Sequence, residues 1–270
     1  MKSRKVIYTI ISLIFAVGFY FYDTNSLKFE SNESVKNSNS NTTSTEFNFL
    51  PTSTTDQIVH HKFYSLSYNE KFEQAEWVAY ELNGNQLSSN NYKRPYFQLD
   101  PKVTTKSAHY RNFKNSGYNK GHLCPAGDRT FSKEAYDETF LTSNVSPQLY
   151  DFNSGVWNRL EQKTRYWAQK YEKLYVITGG ILEPNLKTIG TENVAVPNQF
   201  YKIILDYHQP EIKAIAFLVP HAESDKGLYQ FVTSIDEIER LTGIDFFPEL
   251  PNDLENELEK STSYTKWSFR

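Results

Sequence analysis

Apolar and polar positions divide the chain into four stretches. Three basic residues, Lys2, Arg4 and Lys5, precede a largely apolar run over residues 6–22. A run of about 17 residues lies at the short end of what spans a bilayer and is longer than most signal-peptide cores. No small-x-small cleavage pattern follows it, and Phe19, Tyr20, Phe21 and Tyr22 suit a membrane interface. Residues 1–22 therefore read as a membrane anchor or signal sequence, with an uncleaved anchor favoured. Everything beyond is expected to be exported, facing the periplasm or exterior, or secreted if the segment is cut. Residues 23–56 are rich in Ser, Thr and Asn and too poor in apolar side chains to offset the entropy of ordering, so they read as a flexible linker.

The pattern changes at Gln57, where a folded domain over residues 57–250 is expected. Residues 77–82 predict a strand, and Asn83-Gly84 behind it predicts a hairpin turn. Residues 174–178, 201–207 and 212–219 predict further strands. Trp157, Leu160, Thr164, Trp167, Ala168 and Tyr171 recur at helical spacing and predict a helix over residues 155–171 with one apolar face. Ser234-Ile235-Asp236-Glu237 has the form of a capping box, and Gly243 can end the helix it starts. Strands and helices mix without regular βαβ alternation, which points to an α+β fold with a central antiparallel sheet and flanking helices. Acids between Glu249 and Glu259 mark residues 251–270 as an acidic C-terminal tail.

Charge modifies this picture. The formal net charge is -3, which argues weakly against a nucleic-acid partner. Its distribution argues the other way: residues 89–129 carry eight Lys or Arg against Asp100 and Asp128 alone. A phosphate-binding stripe or a solvated basic loop would give the same count. Cys124 is the one cysteine, so neither an internal disulfide nor a cysteine-based zinc cluster can form.

Two segments carry candidate chemistry. In Ser116-Gly117-Tyr118-Asn119-Lys120-Gly121-His122-Leu123-Cys124-Pro125-Ala126-Gly127-Asp128-Arg129, one histidine stands among glycines and basic residues. A neutral imidazole can take a proton from water near neutral pH, and Gly121 would let the backbone approach a ligand. A histidine in such a turn also serves structural ends. In the second segment, Asn144-Val145-Ser146-Pro147-Gln148 leads through Asp151-Phe152-Asn153-Ser154-Gly155-Val156-Trp157 into the expected helix. Asn153 stands where it could cap that helix. Asn153, Trp157, Glu161 and Arg165 follow at four-residue steps and form a drifting ridge, on which Glu161 and Arg165 can pair.

With these segments, residues 64–248 resemble the DNA/RNA non-specific endonucleases of the ββα-metal, or His-Me finger, superfamily, which includes endonuclease G. The resemblance also takes in Trp77-Val78-Ala79-Tyr80-Glu81-Leu82, Ser234-Ile235-Asp236-Glu237-Ile238-Glu239 and Thr242-Gly243-Ile244-Asp245-Phe246-Phe247. It implies a ββα-metal finger active site and an Mg2+-dependent endonuclease, with Mn2+ as the alternative ion, that cuts DNA and RNA with little sequence preference. It further implies His122 as general base, Asn153 as the metal ligand and Glu161 as support for the metal's water. Arg94, in Arg94-Pro95-Tyr96-Phe97-Gln98-Leu99-Asp100, and Arg165 would bind the phosphate or the leaving side, where a guanidinium forks onto two oxygens. Lys120 and Arg129 would add substrate contacts, and Asn144 would support the metal site or the substrate. A homodimer is compatible with the resemblance.

One departure bears on efficiency. The family usually reads Asp-Arg-Gly-His where this chain reads Asn119-Lys120-Gly121-His122. Lys120 keeps the charge without the fork, and Asn119 removes a negative charge near the imidazole. The alternative reading is a membrane-tethered nucleic-acid binder with lost or weak catalysis. A glycosidase is poorly supported, because no two carboxylates stand at acid/base positions. Cys124 reads as packing rather than as a nucleophile, and His60, His61, His109, His208 and His221 lack metal-ligand spacing with one another.

Overall fold

The structure, a computed structural model, describes residues 47–269. The expected anchor and the linker as far as residue 46 lie outside the described residues. A seven-stranded antiparallel sheet forms the centre, in the order β1-β2-β3-β6-β9-β10-β11. Its strands are β1 Ile58–His60, β2 Ser65–Asn69, β3 Gln74–Asn83, β6 Lys173–Gly180, β9 Gln199–Asp206, β10 Lys213–Pro220 and β11 Val232–Thr233. Two short hairpins stand apart from it, β4 Asn119–His122 with β5 Val145–Gln148, and β7 Thr188–Ile189 with β8 Val194–Ala195. The helices are α1 Lys133–Glu138, α2 Asn158–Tyr171, α3 Ile235–Thr242 and α4 Asn252–Lys260.

Both faces of the sheet are covered, so its central strands read as nearly continuous apolar runs. Period-two alternation sends Val78, Tyr80, Leu82, Val176 and Ile204 to one core with Trp157, Leu160 and Trp167 of the α2 segment. Trp77, Ala79, Ile177, Ile203 and Leu205 go to a second core with Ile235, Ile238 and Leu258 of α3 and α4. The result is three layers, helix over sheet over helices, and the α+β expectation holds.

Local expectations fare unevenly. The three later strands and the long helix appear close to where they were expected. Ser234 Oγ accepts from the Glu237 backbone N–H at 3.1 Å, and Gly243 ends α3 with φ 71°. The hairpin after Asn83 does not form: β3 pairs with β2 and β6, and Gly84 begins a 3-10 turn, Gly84–Gln86. A Cβ on Gly84 would lie 2.2 Å from the Ala168 carbonyl oxygen, so this glycine permits the chain to press against α2.

Two boundaries need correction. Residues 47–56 belong to the folded unit rather than to a linker: Phe47 stacks on Tyr207 with ring centroids 4.3 Å apart, and Trp77 Nε1 donates to the Thr52 carbonyl at 2.8 Å. Residues 251–269, expected as an acidic tail, pack onto the folded unit. Leu258 of α4 enters the second core, and Trp267, 4% exposed, enters the first beside Trp167. Asp253 and Glu257 lie on the exposed side of an amphipathic helix, Glu255 and Glu259 are half-buried near Asp236, Glu239 and Asp245, and two apolar anchors outweigh them.

Candidate active site

The sequence builds the site as strand, strand, helix. β4 and β5 pair antiparallel with Lys120 opposite Pro147 and His122 opposite Val145. A helical turn at Tyr150–Phe152 follows, then a wide π-turn at Asn153–Trp157, then α2. Gly155 departs from helical geometry at φ -95°, ψ -108°, so the helix is kinked beside Asn153. Asn153 itself is helical (φ -63°, ψ -46°), and its backbone N–H donates to the Leu149 carbonyl at 2.9 Å. It is therefore not the side-chain N-cap of the helix. Among the described residues its side chain has no hydrogen-bond partner, which leaves an amide oxygen free to ligate.

Lys120 and His122 are two apart on β4 and share a face. Both meet Phe97: the His122 ring lies 5.5 Å from it by centroids, and Lys120 Nζ sits 5.4 Å from its centre. Phe140 meets His122 edge-on at 5.0 Å, and the Arg94 guanidinium lies 5.6 Å from Phe97 and 5.4 Å from Phe140. Histidine and two cations thus surround one aromatic pair. Burial, and behind it the Arg94 charge, push the His122 imidazole down to about 3. Its Nε2 is buried without a partner, an arrangement that costs about 1–3 kcal/mol unless a ligand completes it. Burial and Arg94 also lower Lys120. Neither Arg94 nor Lys120 pairs with a carboxylate among the described residues, so the two cations are held near each other with no anion between them.

Behind the helix lies a second group. Asp128, nearly fully buried, accepts from Arg165 Nη1 at 2.7 Å and from the Tyr80 hydroxyl at 2.9 Å. Arg165 is therefore held by Asp128, not by Glu161 as its helical spacing suggested. Glu161 is raised above the ordinary carboxylate range by burial, with Asp128 adding to the effect and Lys202 and Arg165 opposing it. Lys202 is wholly buried on the same face of the sheet. Its Nζ donates to Thr178 Oγ1 at 2.7 Å and lies 5.1 Å from the Trp157 ring centre. Burial lowers its pKa against the pull of Glu161 and Asp128. Glu161 and Arg165 of α2 thus meet Asp128 and Lys202 beneath the helix, and burial makes Glu161 harder to ionise.

The donors fit a hard divalent cation. An uncommitted amide oxygen on Asn153 and a carboxylate that burial disfavours as an anion are both oxygen ligands, the kind Mg2+ and Mn2+ prefer. A positive charge at that position would favour ionised Glu161.

A family model described as DNA/RNA non-specific endonuclease matches residues 39–253. The chain belongs to the DNA/RNA non-specific endonuclease family. Among its relatives, a protein named mitochondrial nuclease EXOG from Danio rerio is 36% identical over 209 residues, covering 70% of this chain and 61% of the relative. The chain thus spans less than two thirds of that relative's length. Mitochondrial endonuclease G from Homo sapiens is 31% identical, with 72% and 70% of the two chains covered. A crystal structure of an EndoG/EndoGI complex superposes with a TM-score of 0.68 at 27% identity, over 73% of this chain and 88% of that one.

Within this member of the endonuclease family, Arg129 and Asn144, expected as substrate contacts, are buried and engaged inside the protein. Arg129 is 2% exposed, with Nη2 donating to the Glu81 carbonyl at 2.9 Å and Nη1 to the Asp128 carbonyl at 3.3 Å. It fastens the loop to β3 and has almost no exposed surface to offer a substrate. Asn144 is fully buried and fully engaged: Oδ1 accepts from the Cys124 N–H at 2.8 Å, and Nδ2 donates to the Cys124 and Thr139 carbonyls at 3.0 and 2.9 Å. It fixes the chain just after His122 and has no polar atom left over. Gly121 also differs from expectation, since a Cβ there would lie 2.0 Å from Gln148 Oε1. It makes room for the Gln148 side chain, not for a ligand.

Asp128, Lys202 and His221 were not assigned a role from the sequence. Lys202 had a readable signal, a lone charge within the apolar run Phe200-Tyr201-Lys202-Ile203-Ile204. His221 had none: it bridges two distant loops, with Nδ1 2.8 Å from the Pro197 carbonyl and Nε2 accepting from the Leu149 N–H at 2.8 Å. Those contacts fix Nδ1 as the protonated nitrogen and hold the turn that presents Asn153.

Proposed function

We propose that this protein is a metal-dependent endonuclease that hydrolyses phosphodiester bonds of DNA and RNA with little sequence preference, His122 acting as general base and Asn153 as metal ligand. The observation that carries this reading is a buried, unpartnered His122 nitrogen flanked by Arg94 and Lys120 on the strand pair that leads into Asn153 and Glu161.

As a water oxygen bonds to phosphorus, His122 takes one of its protons, while the bond from phosphorus to the departing 3' oxygen breaks and that oxygen is protonated by solvent. A phosphodiester anion near His122 and Arg94 would offset the guanidinium charge and raise the imidazole from its depressed value, strengthening the base as substrate binds. Arg94 and Lys120 supply the phosphate contacts, Arg94 with a fork and Lys120 with a point charge. Arg165 keeps one nitrogen on Asp128 and retains others for the substrate side. Held by Asn153 with Glu161 behind it, Mg2+ or Mn2+ would supply the positive charge that stabilises the phosphate and the departing oxygen. Contacts mainly to phosphate and sugar would make sequence preference slight.

The basic run and apolar segment of residues 1–22 support export and a membrane tether, although no helix among the described residues is long and apolar enough to cross a membrane. Cutting of supercoiled plasmid and of RNA by the full 270-residue chain in detergent, across an Mg2+ titration, tests the metal role. Asn153→Ala should require far more Mg2+ for the same rate, and EDTA should abolish cutting by both. Equal Mg2+ requirements in the two proteins would remove Asn153 as the ligand.

A further inference from the structure

Beside Phe97, residues Lys93, Arg94, Tyr96, Phe97, Tyr110 and Lys120 line an open cavity of about 520 Å³. We propose that this cavity is a nucleobase-stacking subsite for single-stranded nucleic acid, with the Tyr96 ring as its platform. The proposal rests on the nuclease reading, because it takes the strand passing His122 as the ligand.

Three observations support it. Tyr96 is 93% exposed, with no ring partner and no hydrogen bond among the described residues. An aromatic ring so exposed gains nothing from folding, and a flat π-face in solvent suits a base. Tyr110, 38% exposed and packed on His109 at 4.3 Å, offers a second ring in the same cavity. Three cations share the lining and pair with no acid among the described residues, and two of them, Arg94 and Lys120, also reach the phosphate position beside His122. Rings for bases next to cations for backbone is the combination that binds single strands without reading sequence.

Phe97 joins the two places. It contacts His122 and also lines the cavity, so a phosphate near His122 would bring a neighbouring base within reach of Tyr96. A duplex keeps its base faces stacked on each other and has none to offer there. The subsite therefore distinguishes single from double strands, whereas the phosphate contacts do not.

Dissociation constants decide the matter, measured by fluorescence anisotropy with a labelled single-stranded oligonucleotide and with the duplex of the same sequence, at one salt concentration. The parent protein is the full chain carrying His122→Ala, so that neither ligand is cut. Tyr96→Ala should weaken single-strand binding by at least about five-fold, leave duplex binding unchanged, and leave the melting temperature unchanged because the residue is 93% exposed. Tyr96→Phe should bind as the parent does. Unchanged single-strand binding in Tyr96→Ala, or equal losses on both ligands, would overturn the subsite. Cutting by the chain with His122 intact is scored separately. Tyr96-dependent single-strand binding without any cutting would overturn the nuclease reading and leave the subsite standing, whereas cutting with no effect of Tyr96→Ala would overturn the subsite alone.

Discussion

Asp128 shows how much of this site depends on a residue that touches no substrate. Its carboxylate holds Arg165 and Tyr80 in place from a position almost closed to solvent. Removing one partner of such a pair leaves the other charge uncompensated, at a cost of about 3–5 kcal/mol. Asp128→Asn should accordingly lower the melting temperature and reduce cutting together, while Tyr80→Phe, which removes one neutral donor, should cost about 1 kcal/mol. Thermal melts and initial rates on the same preparations check both, and an Asp128→Asn protein that melts like the parent would show that the pair contributes little. The segments that hold His122, Asn153 and Glu161 stand out in the sequence by composition and by four-residue spacing. Asp128 lies within the same motif, but nothing in spacing shows that Arg165, 37 positions away, folds onto it.

Between elements, His61 ties the turn after β1 to the loop that carries Arg94. Its Nε2 lies 2.7 Å from Asp100 Oδ2, and Ser143 Oγ donates to the same oxygen at 2.5 Å. Burial alone would lower the His61 pKa, but the hydrogen bonds and charges of Asp100 and Glu138 outweigh it, and the net shift is upward. A folded-state pKa above the unfolded value of about 6.5 gives stability that is full below that value and lost as pH rises through the folded pKa. His61→Gln should therefore lose about 1.5–3 kcal/mol at pH 5.5 and less at pH 9. Urea denaturation at the two pH values checks this, and a loss of equal size at both would show that His61 acts uncharged. Element identities were largely legible: β6, β9, β10 and α2 follow from apolar runs and helical spacing. Asn83-Gly84 misled because a turn signal reports local geometry, and it was packing against Ala168 that required the glycine. The kink at Gly155 was likewise hidden, since apolar spacing continues through it.

For the whole molecule, the folded unit is larger than composition suggested at both ends. Ser and Thr before Gln57 look like linker, yet the Thr54 backbone N–H donates to Glu76 Oε1 at 2.9 Å, and Phe47 and Phe49 pack on Tyr175. At the other end the acidic run hid Leu258 and Trp267, because a count of charges ignores which face they occupy. Trp267 Nε1 donates to the Ala214 carbonyl at 3.3 Å, and its ring lies 4.8 Å from Trp167 by centroids. Trp267→Ala should cost about 3–5 kcal/mol, read as a lower denaturation midpoint, and a midpoint within error of the parent would return residues 251–270 to the status of a tail.

The proposed mechanism requires that His122 take the proton from the attacking water. The direct measurement is the single-turnover rate of plasmid cutting at pH 7 with saturating Mg2+, for the full chain and for His122→Ala with matched melting temperatures. A general base is worth about 10²–10⁴-fold, so the variant should cut at least about a hundred-fold more slowly while binding the plasmid as before. Cutting by His122→Ala at the parental rate, or a folded parental chain that binds the plasmid and never cuts it, would contradict this role for His122.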